Sequence, residues 1–157
     1  MTISNEATKT VIVYHAAFEN TTYKAAVVSV PSTMSDEEAV FEAFRQTQNV
    51  HGSWSGPAEI RDEDLMTDFG ANPDYRESVT VVGGRRDLSK SQRGFRSTST
   101  GDVFLINDEV GPSRFFGLSY VGAVQFPGVK EFCAARCPDT PSDRMMAPFN
   151  WDKGVFA

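Results

Sequence analysis

The stretch Arg93 to Phe126, RGFRSTSTGDVFLINDEVGPSRFFGLSYVGAVQF, constrains the fold more than any other part of this chain. Four consecutive hydroxyl residues, Ser97 to Thr100, precede Gly101 and Asp102. Such side chains bond nearby backbone and favour turns. Val103 to Ile106 is then a short apolar, strand-forming run. Asn107, Asp108, Gly111 and Pro112 are turn formers, so the chain is expected to reverse there. Phe115 to Phe126 is aromatic and β-branched, and reads as one curved strand interrupted by Gly117 and Gly122. Glycine in a strand pattern points to a bulge or a close backbone approach. The stretch therefore predicts a β-hairpin that feeds a curved sheet or half-barrel.

The remaining elements fit around that ribbon. Thr10 to Ala16 (TVIVYHA) and Tyr23 to Val30 (YKAAVVSV) read as strands joined across the turn Glu19-Asn20-Thr21-Thr22. So short a connection makes them an antiparallel pair. The second alternates poorly through Ala25-Ala26-Val27-Val28, so both of its faces are expected to be covered. Ser35 with Glu38 forms a capping box, and Asp36, Glu37 and Glu38 suit the positive end of a helix dipole. Val40, Phe41, Phe44 and Thr47, flanked by Ala39 and Ala43, follow a 3.6-residue period and place the phenylalanines in the core. Asn49 and Gly52 stop this helix near Gln48. Ser78 to Val82 (SVTVV) is a third strand, closed by Gly83-Gly84. The sum is an α+β chain: a mostly antiparallel, strongly curved sheet in the order β-β-α-β-β-β, with one main amphipathic helix packed on it. At 157 residues it reads as a single domain. Residues 10–48 supply strand, strand and helix, 49–77 an acidic loop region, 78–126 a β-rich core, and 127–157 an irregular C-terminal tail.

Three stretches carry chemistry that a partner would meet. Trp54 sits among small polar residues in HGSWSG, where it either plugs the loop from beneath or is presented outward as an interface anchor. Glu59 to Glu77 gathers seven acids, among them Asp62, Glu63, Asp64 and Asp68, against Arg61 and Arg76. It is either a solvated segment or an acidic patch that docks on a basic groove. Asp62-Glu63-Asp64 lacks the D-x-[DN]-x-[DN]-G pattern of a calcium loop. Then comes the only basic concentration in the chain: Arg85, Arg86, Lys90, Arg93 and Arg96 against the single Asp87, with Phe95 placed to stack on a base. These residues form the expected partner-binding set.

Known catalytic patterns are missing. The chain has no G-x-S-x-G, P-loop, G-x-G-x-x-G or H-E-x-x-H. His15, Asp102 and a hydroxyl from Ser97 to Thr100 can be drawn as a triad, but Asp102 is more simply a turn carboxylate that caps backbone N–H groups. Cys133 and Cys137 are too few for a disulfide framework, and with only His15 and His51 beside them a structural zinc site would need all four residues to converge. No cofactor or metal is expected. A net charge of −6 argues against a generic nucleic-acid binder and for solubility or a basic partner surface. No apolar run reaches the roughly 18 residues of a membrane span. The N-terminus has no basic n-region or apolar h-region, so a cytoplasmic protein is expected. The tail carries Met145, Met146, Phe149, Trp151, Val155 and Phe156, and is expected to wrap the domain or to act as a self-association arm, which leaves a homodimer open.

The series Arg96-Ser97-x-Ser99-x-Gly101-Asp102-Val103, a short hairpin and Phe116-Gly117-Leu118 resembles the C-terminal signature of the YodL-like proteins of phages, plasmids and conjugative elements. VIVYHAAF, YKAAVVSV, and an acidic helix ending FRQTQN before GSW are similar to the start of the same group. The resemblance implies a mobile-element origin and brings no activity, cofactor or catalytic residue with it. With the missing motifs, it leads to the expectation of a non-enzymatic accessory protein that binds a host protein or ribonucleoprotein complex. The concrete form is an anti-CRISPR or anti-restriction inhibitor. The alternatives are a nucleic-acid-binding module that uses Arg85 to Arg96, and a small enzyme.

Overall fold

Alternating burial draws out the first strand. In β1 (Thr8–His15) the side chains of Lys9, Val11, Val13 and His15 are buried, while Thr10, Ile12 and Tyr14 are half-buried on the opposite face. The computed structural model describes residues 7–16, 23–62, 67–83, 94–107, 111–119, 122–126, 149–150 and 155–156. β2 (Tyr23–Pro31) pairs antiparallel with β1, and the register shifts between Val13 and Tyr14. Val13 faces Ala26 while Tyr14 faces Lys24, so Ala25 is the extra residue of a bulge. This accounts for the broken alternation of YKAAVVSV: Ala25 and Ala26 are both fully buried because the strand kinks between them.

β1 continues the sheet on its other side by pairing with β6 (Val103–Asn107), which forms the expected hairpin with β7 (Arg114–Ser119). β7 pairs antiparallel with β8 (Gly122–Gln125), Ser119 opposite Gly122. Phe115 to Phe126 is therefore a second tight hairpin and not one curved strand. Gly117 does allow a close approach, because a Cβ there would stand 3.0 Å from Cζ of Phe126, which lies over it. β5 (Val79–Val81) adds to β2. The result is a curved, unclosed six-stranded antiparallel sheet in the order β5-β2-β1-β6-β7-β8. The acidic region, expected to be loop, contributes a two-stranded ribbon, β3 (Glu59–Asp62) with β4 (Thr67–Ala71). A second ribbon joins β9 (Phe149–Asn150) and β10 (Val155–Phe156). Cys133, Cys137, Met145, Met146 and Trp151 lie outside the described residues.

The helix α1 (Asp36–Gln46) packs against β1, β2, β6 and β8. Its capping box forms as expected: Glu38 N–H donates to Ser35 Oγ at 3.2 Å, and Ser35 N–H to Glu38 Oε2 at 2.7 Å. The side chains that meet the sheet are small ones, Ala39, Val40 and Ala43, on a core of Val11, Val13, Val28, Phe104, Ile106, Phe116 and Leu118. At 3.6 residues per turn Phe41 falls nearly opposite that stripe and Phe44 on its flank. Phe41 is 41% exposed and Phe44 is half-buried at the core edge, which corrects the placement of both phenylalanines inside. The small stripe lets the helix sit close to the sheet, which leaves no room for a second large ring on that face.

An ion cluster straps the start of α1 to two strands. Asp36 accepts from Lys9 Nζ at 3.2 Å and from Arg114 Nη2 at 2.9 Å, and also from Arg114 Nε. Lys9 also donates to the Met34 carbonyl. The Arg114 hydrogen bonds and, more weakly, Lys9 hold the Asp36 carboxyl below its usual range against an opposing push from burial. Arg114→Ala is expected to lower stability by about 1–3 kcal/mol, since hydrogen bonds to a charged group are lost. Urea unfolding of the two proteins side by side checks this, with the difference shrinking as Asp36 is protonated. Among the described residues, no helix is long and apolar enough to cross a membrane.

Candidate functional site

Beyond the C-terminal end of α1, the segments 47–57, 72–76 and 94–102 close over one end of the sheet. Two layers can be separated there. The inner layer is buried and polar. Thr47 Oγ1 donates to the Ala43 carbonyl at 2.9 Å and lies 2.7 Å from Thr98 Oγ1, which lies 3.1 Å from His15 Nε2. His15 and Thr47 are fully buried, and Thr98 is 2% exposed. Asp102, also fully buried, accepts from Ala16 N–H at 2.7 Å and Ser99 N–H at 2.8 Å. Arg96 closes on the same carboxylate through Nη1 (2.8 Å) and Nη2 (2.9 Å). A histidine, a hydroxyl and a carboxylate thus do converge. All three are buried, and Asp102 performs the backbone-capping task expected of a turn carboxylate.

Trp54 covers this layer as a plug. It is 1% exposed, meets His15 edge-on at 6.0 Å and Phe95 at 6.3 Å, and donates from Nε1 to the Arg96 carbonyl at 2.9 Å. Of the two expected placements, the structure shows the plug and not the outward-facing anchor. Phe95 is half-buried against it, and the Arg96 side chain is 15% exposed in its ion pair, so both belong to the scaffold here. Asp62 and Asp68 are placed as backbone on the β3–β4 ribbon, with Asp68 opposite Arg61. Glu63, Asp64, Arg85, Arg86, Lys90 and Arg93 lie outside the described residues.

The outer layer is built on the turn Asn72-Pro73-Asp74. Three successive amides, Val50, His51 and Gly52, donate to Asp74 Oδ2 at 2.6, 2.9 and 2.7 Å. Asn72 Oδ1 accepts from Ser53 N–H at 3.1 Å, and its Nδ2 donates to the Ser53 and Pro57 carbonyls at 2.7 and 2.9 Å. A Cβ at position 52 would stand 2.1 Å from Asn72 Oδ1, so a larger residue there would displace the Asn72 side chain from its bonds. Burial alone would raise the Asp74 pKa, but the amides of Gly52, Val50 and His51 together outweigh it and hold the group below its ordinary value. A depressed carboxylate stabilises the fold fully above its unfolded pKa and loses that contribution as pH falls through the folded value. Stability is therefore expected to stay level from pH 7 to about 5 and to fall from about pH 4 downward, with Asp36 and Glu42 contributing in the same sense. Asp74→Asn is expected to be less stable at pH 7 and to show a shallower acid slope, measured as urea midpoints against pH.

Between this loop and the helix end lies a surface pocket of about 210 Å³, lined by Arg45, Gln46, Gln48, Val50, His51, Pro73, Asp74 and Arg76. Glu42 accepts Arg45 through both Nε and Nη2. Arg76 donates from Nη1 to the Pro73 and Tyr75 carbonyls, each at 2.7 Å, and makes no ion pair among the described residues. Val50 at the pocket wall is 60% exposed, and Tyr75, between Asp74 and Arg76, is 38% exposed. In the sequence Arg76 stands only as a counter-charge within the acidic stretch and Arg45 as an outward helix residue. Their meeting depends on the fold of 49–57 around Asn72 and Asp74. The one local signal is the pairing of an N-P-D turn with a glycine-bearing segment. Among the described residues, no three His, Cys, Asp or Glu side chains gather as metal ligands.

Comparison with protein-family models, with curated proteins and with solved structures returns no match to this chain.

Proposed function

We propose that this is a non-enzymatic accessory protein of a phage or other mobile element, acting in the host cytoplasm by binding a host macromolecular complex. Inhibition of a defence complex, of the anti-CRISPR or anti-restriction kind, is its concrete form. The mobile-element origin rests on the YodL-like resemblance of the Arg96 to Leu118 signature and of the first two strands. The binding role is supported by one observation among the described residues: His15, Thr98 and Asp102, which could be drawn as a triad, are buried, while a guanidinium and two apolar side chains stand at or beside a surface pocket. His15, Thr98 and Asp102 are 0%, 2% and 0% exposed. Arg76, Val50 and Tyr75 line or adjoin the pocket. A catalyst needs the reverse arrangement, with its reactive groups in reach of a substrate.

The test is tagged full-length protein expressed in the host, recovered with its bound material and assayed for protection of a restricted phage. Recovery of a defence complex at fixed stoichiometry, together with restored plating, supports the reading. Restored plating abolished by His15→Gln in a protein that still folds would instead favour an enzyme. A salt-dependent shift of RNA or single-stranded DNA without any bound host protein would replace it with nucleic-acid binding.

A further inference from the structure

We infer that β5 is a self-association strand: its open edge pairs antiparallel with β5 of a second copy, about a two-fold axis at Val81, and joins the two six-stranded sheets into one. This goes beyond the binding role proposed above and does not depend on it. The parity of the ladder carries it. Ser29 N–H donates to the Ser78 carbonyl and Val82 N–H to the Ala25 carbonyl, each at 2.9 Å, with Val27 opposite Thr80 between them. Residues 78, 80 and 82 therefore bond toward β2, and the main-chain groups of Val79 and Val81 point to the open side. Val79 N–H is already committed to the Arg76 carbonyl at 3.1 Å. Val81 has both its N–H and its C=O on that side, with no partner among the described residues, and β5 is the last strand of the sheet. Such an edge is a template for another strand. Lysine or proline blunts many edges, whereas Ser78 to Gly84 (SVTVVGG) carries no charge and no proline. Val81 is 39% exposed and Val82 51%.

The available groups set the register, and charge selects the second copy as occupant. A hydrogen-bonded antiparallel pair exchanges the N–H and C=O of both residues. Val79 cannot offer its N–H, so between two copies only Val81 against Val81 meets that need. The same register sets position 77 opposite position 85, glutamate against arginine, once on each side of the axis. The wider pattern agrees. The uncharged strand follows the acidic stretch of residues 59–77 and precedes the basic run of residues 85–96. Antiparallel copies thus bring unlike charges together, and a parallel pair would bring like charges together. Arg76, next to Glu77 in the chain, has its Nη1 on the Pro73 and Tyr75 carbonyls of its own turn. A strand pair this short buries less than the roughly 1,200–2,000 Å² of a stable interface, so the dimer is expected to be weak and to form at high concentration.

The test is sedimentation velocity of the full-length protein from about 10 to about 1,000 µM, with residue-resolved amide hydrogen exchange at both ends of the series. A concentration-dependent dimer is expected. In it the Val81 amide should exchange several-fold more slowly than in the monomer, while the Thr80 amide, already on the β2 ladder, should not change. Glu77→Arg and Arg85→Glu are each expected to weaken the dimer about ten-fold, because either change sets two like-charge pairs across the axis. The double variant with Glu77→Arg and Arg85→Glu should restore it, which separates lost charge pairing from a damaged fold. A monomer throughout the series overturns the inference. So does a dimer whose Val81 amide exchanges as fast as in the monomer, or a double variant no tighter than either single one. Val81 protection that appears only with a host complex bound would make the edge a seat for the partner, and would overturn the self-association assignment while leaving the function reading in place.

Discussion

Trp54→Ala is expected to lower the unfolding free energy by about 3–5 kcal/mol, the usual range for truncating a buried aromatic side chain. The indole is 1% exposed and fills the space between His15, Phe95 and the loop that carries it. Its removal leaves a cavity over a polar layer, so water would enter and compete for the hydrogen bonds of Thr98 and Asn49. The Arg96 carbonyl would also lose its donor at 2.9 Å. A domain of this size has only about 5–15 kcal/mol of stability in total, so the variant should unfold at a much lower urea concentration or fail to accumulate. Trp54→Phe separates the two contributions. It keeps most of the apolar volume and loses the indole N–H, so about 1–3 kcal/mol is expected from the unsatisfied carbonyl. Near-native stability in Trp54→Ala would mean that the plug is dispensable, and that the loop is held by Asn72 and Asp74 alone.

Local signals in the sequence were reliable where the physics is local. Ser35 and Glu38 bond across three residues, so the capping box reads the same in the sequence and in the fold. The turn formers between Ile106 and Arg114 likewise produce the expected hairpin. Asp102 was legible as a backbone cap because the turn of residues 99 to 102 makes its own carboxylate bond, Ser99 N–H to Oδ2. The failures have a common cause, which is that a side chain's face is decided by a neighbour far along the chain. Phe41 looks apolar-periodic, yet the small residues Ala39 and Ala43 win the sheet-facing stripe because they allow close helix packing. The Ser119–Gly122 reversal is hidden because aromatic and β-branched residues continue on both sides of it. For the candidate site, the sequence pointed at charge runs. The pocket instead takes one arginine from a helix end and another from a turn 31 positions on (Arg45 to Arg76), and neither belongs to the basic run. Trp54 illustrates the ambiguity of a lone aromatic in a polar loop: only the acceptor at Arg96, 42 residues away, decides that it points inward.

Asp102→Ala is expected to cost about 3–5 kcal/mol, as for removing one member of a buried ion pair. The carboxylate is fully buried, and the guanidinium that meets it is 15% exposed, so the alanine variant leaves Arg96 cationic and poorly hydrated. It also strips an acceptor from Ala16 N–H, where β1 ends, and from Ser99 N–H. Asp102→Asn retains the shape and part of the accepting capacity but not the charge, and should fall between wild type and alanine. If the cost comes mainly from a stranded cation, then Arg96→Met combined with Asp102→Ala should be less destabilised than the sum of the single changes by about 1–3 kcal/mol. Arg96 gives this cycle a second use. Its guanidinium binds Asp102 while its carbonyl accepts from Trp54, so one residue joins the turn, the end of β1 and the plug. Non-additivity is therefore expected between Asp102→Asn and Trp54→Phe as well, measured as urea unfolding of the single and double variants. Strict additivity of that pair would mean that the Arg96 backbone is fixed independently of its side chain, and the scaffold beneath the pocket would then be two separate units instead of one.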